Sequence, residues 1–406
     1  MNETPAAGAP PGGGVSRGWL SIARNRFLLI AGILLVFAIF FLGGEPWLAI
    51  LNIAMIAAIA TLGLNVLSGY TGQVSLGISF FMAVGAYTAA LLGGGPPQFP
   101  GDPAGFNLPF LIWLPAAGII AALVGAVVGP TALRLKGFYL GIVTIALVFI
   151  GQYLFNNLRS ITGGPQGRSV PAPTFGSFSF ATPDPVFGMQ FTTNQVYFLL
   201  DLVVLALVML FVANIARSRA GRAWQAVRDN EVAASIMGVN LLTAKMGAFV
   251  LSSFLAGIAG ALWASYPGYT EPSQWNLILS IEFVAALLIG GAASVWGSIL
   301  GAAFVFAVPT ALETFSLLPQ SASSGGISSG DLSAIFYGLL IIVFLLFEPA
   351  GFIGLIRRAQ RLAHRFEESR KGGEGEPATG VFNAHSQLDV EVTQLPPRTG
   401  TSLPGD

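Results

Sequence analysis

Apolar residues run along this chain in long unbroken blocks, not in the alternating or three-to-four periodic patterns of a soluble domain. Ten blocks stand out, at 27–42, 47–67, 73–92, 110–133, 137–157, 195–216, 244–265, 276–293, 295–316 and 333–355. About 20 apolar residues are needed for a helix to cross the hydrocarbon core of a bilayer. The pattern therefore predicts an all-α fold, a polytopic transmembrane bundle of about ten membrane segments with broken or re-entrant helices. The first block is short for a span. The eighth and ninth are separated by almost nothing, which predicts a tight or partly re-entrant hairpin. The first block has the basic flank of a secretory signal in Arg17, Arg24 and Arg26. Gly43-Gly44-Glu45-Pro46 and a second block follow at once without a small-x-small cleavage site, so an uncleaved first helix is expected.

The polar remainder is in pieces. Residues 1–26 are rich in Gly, Pro and Ala and are expected to be a disordered cytoplasmic N-terminus. Residues 27–356 form the membrane domain, with a long external loop at 158–194 containing Thr162-Gly163-Gly164-Pro165-Gln166-Gly167 and a cytoplasmic region at 217–243. Residues 357–406 begin as a basic stub (Arg357, Arg358, Arg361, Arg365) and continue as a Gly/Glu/Pro tail, expected to be mostly disordered and cytoplasmic.

Charge sets the orientation. Between Arg26 and Arg134 the only charged residues are Glu45 and Asp102, and between Lys245 and Arg357 there is no Lys or Arg. With ten spans, Arg17, Arg24, Arg26, Arg134, Lys136, Arg217, Arg219, Arg222, Arg228, Lys245 and the tail basics fall on one face, and only Arg159 and Arg168 on the other. The basic face is the cytoplasmic one, which puts both termini inside. The chain is 54% hydrophobic and 9% charged, whereas soluble domains carry about 25% charged residues. Lipid must cover much of such a surface.

Several chemistries drop out. There is no cysteine, and the two histidines, His364 and His385, lie in the tail. No metal cluster and no Cys- or His-based triad can form within the membrane region. A formal net charge of zero gives no support for nucleic-acid binding. No Gly-x-x-x-x-Gly-Lys-Ser/Thr phosphate loop occurs, so the chain is not expected to be an enzyme or to bind a cofactor, and any ATP must be bound by a partner. Gly125/Gly129, Gly137/Gly141 and Gly297/Gly301 have the spacing that lets helices approach closely, a generic packing device.

Three regions rise above this background. In the first, Gly69, Tyr70, Gly72, Gln73, Ser75 and Gly77 interrupt apolar sequence without charge. Either a helix breaks at membrane depth there, exposing backbone to a pathway, or the stretch is a short cytoplasmic turn. Gly-Tyr-Thr recurs at 69–71 and 268–270, a weak trace of duplication. In the second region, Glu282 is the clearest intramembrane carboxylate, with Asp201 and Glu313 nearer block ends. It either lines a pathway, facing a substrate ammonium, or ties helices together. In the third, Gly221, Arg222, Ala223, Arg228, Glu231, Ala233, Ala234 and Gly238 fit a short cytoplasmic helix over 221–238 with small residues for a groove, or else a solvated loop.

Glu231-x-Ala233-Ala234-x-x-x-Gly238 resembles the motif by which ABC importer permeases dock onto their ATPases. Gly221-Arg222-Ala223 through Asn230-Glu231 is similar to its version in LivM-type branched-chain amino acid permeases. Asn65–Tyr70, Gly85-Ala86-Tyr87, Arg134–Tyr139 and Ser280-Ile281-Glu282 with Gly290, Gly291 and Gly297 resemble the same family, over about residues 47–350. Where Val-Ser-Leu-Gly-His is expected, Val74-Ser75-Leu76-Gly77 is followed by Ile78. The resemblance implies the membrane-spanning subunit of a branched-chain amino acid importer in the bacterial inner membrane. It further implies a second permease of LivH type, two ABC ATPases and a periplasmic or lipid-anchored binding protein. A permease for another small solute, such as urea, short amides or a sugar, would carry the same marks.

Overall fold

The computed structural model describes residue 40, residues 43–97, 102–132, 138–175, 178–181 and 190–314, and isolated positions between 338 and 354. The first and tenth apolar blocks, residues 1–26 and 357–406, and Arg134 and Lys136 lie wholly or almost wholly outside the described residues.

The second to ninth blocks are all helical. Helix α1 (Glu45–Leu64) starts with Pro46 in its first turn, where the missing N–H costs nothing. It is followed by α2 (Ile78–Gly93), α3 (Phe110–Ala132), α4 (Phe138–Asn157) and the single turn α5 (Arg159–Thr162). After short strands β1 (Arg168–Ser169), β2 (Thr174–Phe175) and β3 (Phe178–Ser179) comes α6 (Thr193–Arg217). A reciprocal cap between Thr192 and Gln195 fixes its start. Two short helices, α7 (Arg219–Asp229) and α8 (Glu231–Ile236), lead into α9 (Leu241–Ser265). Strand β4 (Tyr269–Thr270), α10 (Leu277–Gly290), α11 (Val295–Ala302), a π turn at Ala303–Ala307 and α12 (Val308–Thr314) follow.

Glu45–Tyr70, Phe110–Pro130, Tyr139–Asn157, Thr193–Arg217 and Leu241–Ser265 are long and apolar enough to cross a membrane. Ile78–Gly93, Leu277–Gly290 and Val295–Ala311 are shorter apolar helices beside them. Central α9 packs on α1, α2 and α3. The approach is close because glycines face backbone. A Cβ at Gly85 would lie 2.0 Å from the Gly257 carbonyl, and one at Gly125 2.5 Å from Ser253 Oγ. Gly301 packs likewise on Ala286, so the 297/301 and 125/129 spacings do serve packing, whereas Gly141 meets only Val74 at 3.9 Å. On α6, Leu199, Val203, Leu207 and Leu210 form an exposed stripe, and Leu111, Leu123 and Val127 do the same on α3. Apolar stripes of this length belong in lipid.

Contacts sort the loops to two ends. At one, the segment after α1, the α7–α8 region and the 291–294 turn meet. At the other, Asn194 Nδ2 donates to Glu45 Oε2 at 2.5 Å and Tyr266 Oη donates to Asn194 Oδ1 at 2.6 Å. Part of the 158–194 loop is a built cap. Strand β1 pairs antiparallel with β4. Buried Arg168 donates to the Ile161 and Pro103 carbonyls at 2.6 and 2.8 Å. Ser169 Oγ donates to Asp102 Oδ2 at 2.6 Å. The two Gly-Tyr-Thr triplets therefore lie at opposite ends.

Because the chain has no native cysteine, this two-ended arrangement is directly testable. Single cysteines at Phe106 and at Met237, both exposed, are expected to react with an impermeant thiol reagent from opposite sides of sealed vesicles. Labelling of both from one side would refute the arrangement.

Candidate functional site

Helix α1 does not stop at Leu64. It widens into a π turn over Asn65–Tyr70, a distortion often found at functional sites. Gly72 then takes a left-handed φ of +70°, and the chain runs extended to α2. Thr71, Gln73, Ser75 and Gly77 are buried, while Gly72 and Val74 between them are exposed, so the stretch has one face packed in the bundle and one turned outward. Non-helical backbone at such a place must find partners inside the protein. Leu76 N donates to Thr144 Oγ1 of α4 at 2.9 Å, Gly77 N to Ser75 Oγ at 3.4 Å, and Gln73 Nε2 to Thr71 Oγ1 at 2.8 Å. Tyr70 is buried, and Ile78, where the resemblance leads one to expect His, is packed in the core.

A second break separates α10 from α11. Gly291 and, unusually for a residue with a side chain, Ala293 have positive φ, +101° and +61°. Fully buried Asn65 holds the two breaks together. Its Oδ1 accepts from Ala293 N at 2.8 Å and its Nδ2 donates to the Ser294 carbonyl at 3.1 Å. Gly69 is glycine for the same reason: a Cβ there would lie 1.8 Å from Asn65 Oδ1 and 2.7 Å from Ala293 N.

The α7–α8 region attaches to this joint. Arg228 Nη1 donates to the Gly69 carbonyl at 2.7 Å, one of the carbonyls a helix terminus leaves without an internal donor. Trp224 is buried and donates from Nε1 to the Ala244 carbonyl at 3.0 Å. Lys245 Nζ pairs with Glu231 Oε1 at 2.6 Å; half-exposed Glu231 makes that pair worth no more than about 1 kcal/mol. The single helix expected over 221–238 is in fact two, because Asn230 turns extended and caps α8 through its Oδ1 to the Val232 and Ala233 amides. Gly221 is buried where a Cβ would lie 2.3 Å from the Ala216 carbonyl, Ala223 is half-buried, and Arg222 folds back on the Arg217 carbonyl. Gly238, at φ +84°, closes α8. Its N–H donates to Ser235 O and that of Val239 to Ala234 O, both at 3.0 Å, a Schellman end.

Small residues alone do not form the outward face, which Ala233, Ser235 and Gly238 share with larger apolar side chains. Ala234 is buried against the bundle and Ala233 is exposed, whereas Val232, Ile236 and Met237 are 68%, 81% and 84% exposed. Glu282 is half-buried on α10 and makes no hydrogen bond or ion pair with any described residue. Ser280 ties the helices instead, its Oγ donating to Ser79 Oγ at 2.7 Å and accepting from Ser79 N at 3.2 Å. No group of His, Cys, Asp or Glu able to hold a metal occurs among the described residues. The sequence reading passed over Asn65 and placed Asp201 near a block end, although Asp201 is wholly buried. In both cases the available signal was a lone polar residue inside an apolar run.

Replacing Asn65 by Ala would leave the Ala293 amide unpaired, at about 1–3 kcal/mol, while the Ser294 carbonyl would still accept from the Ser298 amide. Thermal unfolding in detergent is expected to show that loss for Asn65→Ala. Gly69→Ala, which forces Asn65 aside, should lose a comparable amount. Unchanged midpoints would show that the two breaks are held by other means.

Residues 46–345 match the family described as branched-chain amino acid transport system / permease component. The LivM permease protein of the high-affinity branched-chain amino acid transport system of Escherichia coli K12 is 32% identical over 355 residues, covering 84% of this chain and 78% of that protein. The LivH permease protein of the same system in Salmonella typhimurium is 29% identical over 214 residues, covering 52% of this chain and 64% of that one. The galactofuranose transporter permease protein YtfT of Escherichia coli K12 is 26% identical over 321 residues, 77% of this chain and 82% of that one. No solved structure matches the chain. With interrupted apolar helices fastened to an exposed helical elbow, and a family match spanning the whole described bundle, the chain belongs to the branched-chain amino acid transport permease family.

Proposed function

We propose that this chain is the LivM-type half of an ABC importer's membrane channel, forming with a LivH-type permease the pathway for branched-chain or related amino acids. Two ABC ATPases bind the ATP, a periplasmic or lipid-anchored binding protein delivers the substrate, and the chain itself carries no cofactor. Residues 27–356 are the permease domain in the bacterial inner membrane. Both termini and residues 217–243 are cytoplasmic, as the Lys/Arg asymmetry requires. Gly69, Tyr70, Gly72, Gln73, Ser75 and Gly77 line or border the pathway, and Glu282, without a partner among the described residues, faces it.

One observation carries this reading. The α7–α8 elbow turns Val232, Ile236 and Met237 outward while Arg228 holds the carbonyl of Gly69 at the helix break. Apolar side chains so exposed gain about 1.5–3 kcal/mol each when buried in a partner's groove, and the partner's motion is then delivered to α1 through a 2.7 Å bond. Relatives named for galactofuranose and autoinducer-2 support the second reading, in which the solute is a sugar or another small polar molecule. The ligand bound by the cognate binding protein decides between them.

Ile236→Asp and Met237→Asp are expected to leave the permease folded, since both side chains are solvent-exposed. They should abolish co-purification of the ATPase and ATP-driven uptake in proteoliposomes. Retained ATPase binding by both would remove the docking role. Arg228→Gln should keep the ATPase bound but lower uptake per ATP hydrolysed, and a normal ratio would show that the Gly69 bond transmits nothing. Ala234→Trp is expected to disrupt the elbow itself, because Ala234 is 3% exposed. Gly238→Val meets no neighbour within 4 Å but strains a left-handed residue, at about 1–2 kcal/mol.

A further inference from the structure

Away from the two breaks, one buried acid has no part in the coupling path. Asp201 lies two turns into α6 and is wholly buried, yet neither carboxylate oxygen has a hydrogen-bond partner among the described residues. Asn52, two turns into α1, is equally buried; its Nδ2 donates to the Asn194 carbonyl at 3.1 Å, and its Oδ1 has no partner. Helices α1 and α6 pack along one another. Tyr197 and Tyr266 lie at the same end of the bundle, and their protons are committed elsewhere: Tyr197 donates to the Ser265 carbonyl at 2.8 Å and Tyr266 to Asn194 Oδ1 at 2.6 Å. Both Asp201 oxygens are thus buried acceptors without a donor among the described residues.

Among the described residues no cation is at hand to compensate a charge. The titratable groups nearest this end of α6 are Tyr197, Tyr266 and, on α1, Glu45, whose Oε2 already accepts from Asn194. Helix α11, which also packs on α6, has no titratable residue. The arginines of α7 sit at the far end of α6, about 24 Å from Asp201 at 1.5 Å per residue. An ionised carboxylate stranded in that position is far less favourable than a protonated one.

We propose that Asp201 is a proton-binding site inside the membrane bundle. The bound proton removes the charge of a carboxyl that has no donor to meet it, turning one of its oxygens from an orphaned acceptor into a donor. The proton comes from water as α1 and α6 close and returns to water when they part. Acid on that side of the membrane therefore favours the packed arrangement of these two helices.

Infrared spectroscopy of the permease complex in lipid nanodiscs tests this directly. Wild-type protein at neutral pH is expected to show the carbonyl stretch of a buried carboxylic acid, shifted in D2O. The band should be absent in Asp201→Asn and retained in Glu45→Gln. Should Asp201→Asn fail to assemble, wild-type protein carrying 13C-labelled aspartate reports the band alone. Since the proton is held in the packed state and lost in the opened one, thermal stability of the wild type should fall as pH rises from the acid range. That slope should flatten in Asp201→Asn, whose amide supplies a donor at every pH. Absence of the acid band at neutral pH would overturn the proposal. So would stabilisation of wild type, but not of Asp201→Asn, by sodium or potassium ions at fixed pH, which would make the site one for a metal cation.

Discussion

A helix that stops within a packed apolar bundle leaves carbonyls and amides that need partners inside the protein. In this chain one carboxamide links two such places. Asn65 bonds the amide of Ala293 and the carbonyl of Ser294, and so joins the break after α1 to the break between α10 and α11. Gly69 must lack a side chain for Asn65 to fit, and Ala293 adopts a left-handed φ beside it. The missing side chain at Gly69 and the left-handed Ala293 thus both go with the place Asn65 takes between the two breaks.

The elbow of α7 and α8 uses the same unsatisfied backbone. Arg228 takes the Gly69 carbonyl, an acceptor that exists only because the helix widens and ends there. The link is specific to the broken geometry: were α1 to straighten and continue, that carbonyl would be taken by its own helix. Trp224, the Glu231–Lys245 pair and buried Ala234 fix the rest of the elbow to α9. The elbow is buried on its bundle side and apolar on its exposed side.

The other end of the bundle is built on different terms. There the chain leaves the apolar region through loops that carry their own donors, with Arg168 filling carbonyls of two loops and β1 pairing with β4. Between the two ends, Asp201 and Asn52 are polar groups that the fold buries without fully satisfying. Buried polar groups are almost always bonded, which is why the Asp201 carboxyl, with both oxygens unpartnered among the described residues, points to a bound proton.

Length and composition of the apolar blocks determined a great deal without any tertiary information. Eight blocks became helices near their expected positions, the 276–293 and 295–316 pair became the tight hairpin at Gly291, and the Gly-rich stretch after residue 68 became an interruption. These features depend on local chemistry: block length against membrane thickness, and glycine where backbone leaves the helix. The polar partnerships depended on tertiary structure. Asn65 and Ser294, or Arg228 and Gly69, are separated by more than 150 positions, and nothing local to either residue specifies the other. The same holds for the outward face of the elbow. The expected single helix over 221–238 became two at Asn230, and packing against α9 decided that Val227 of the first and Ala234 of the second turn inward. It left Val232, Ile236 and Met237 to the outside, because a side chain's surroundings depend on what packs against its helix, which local spacing does not specify.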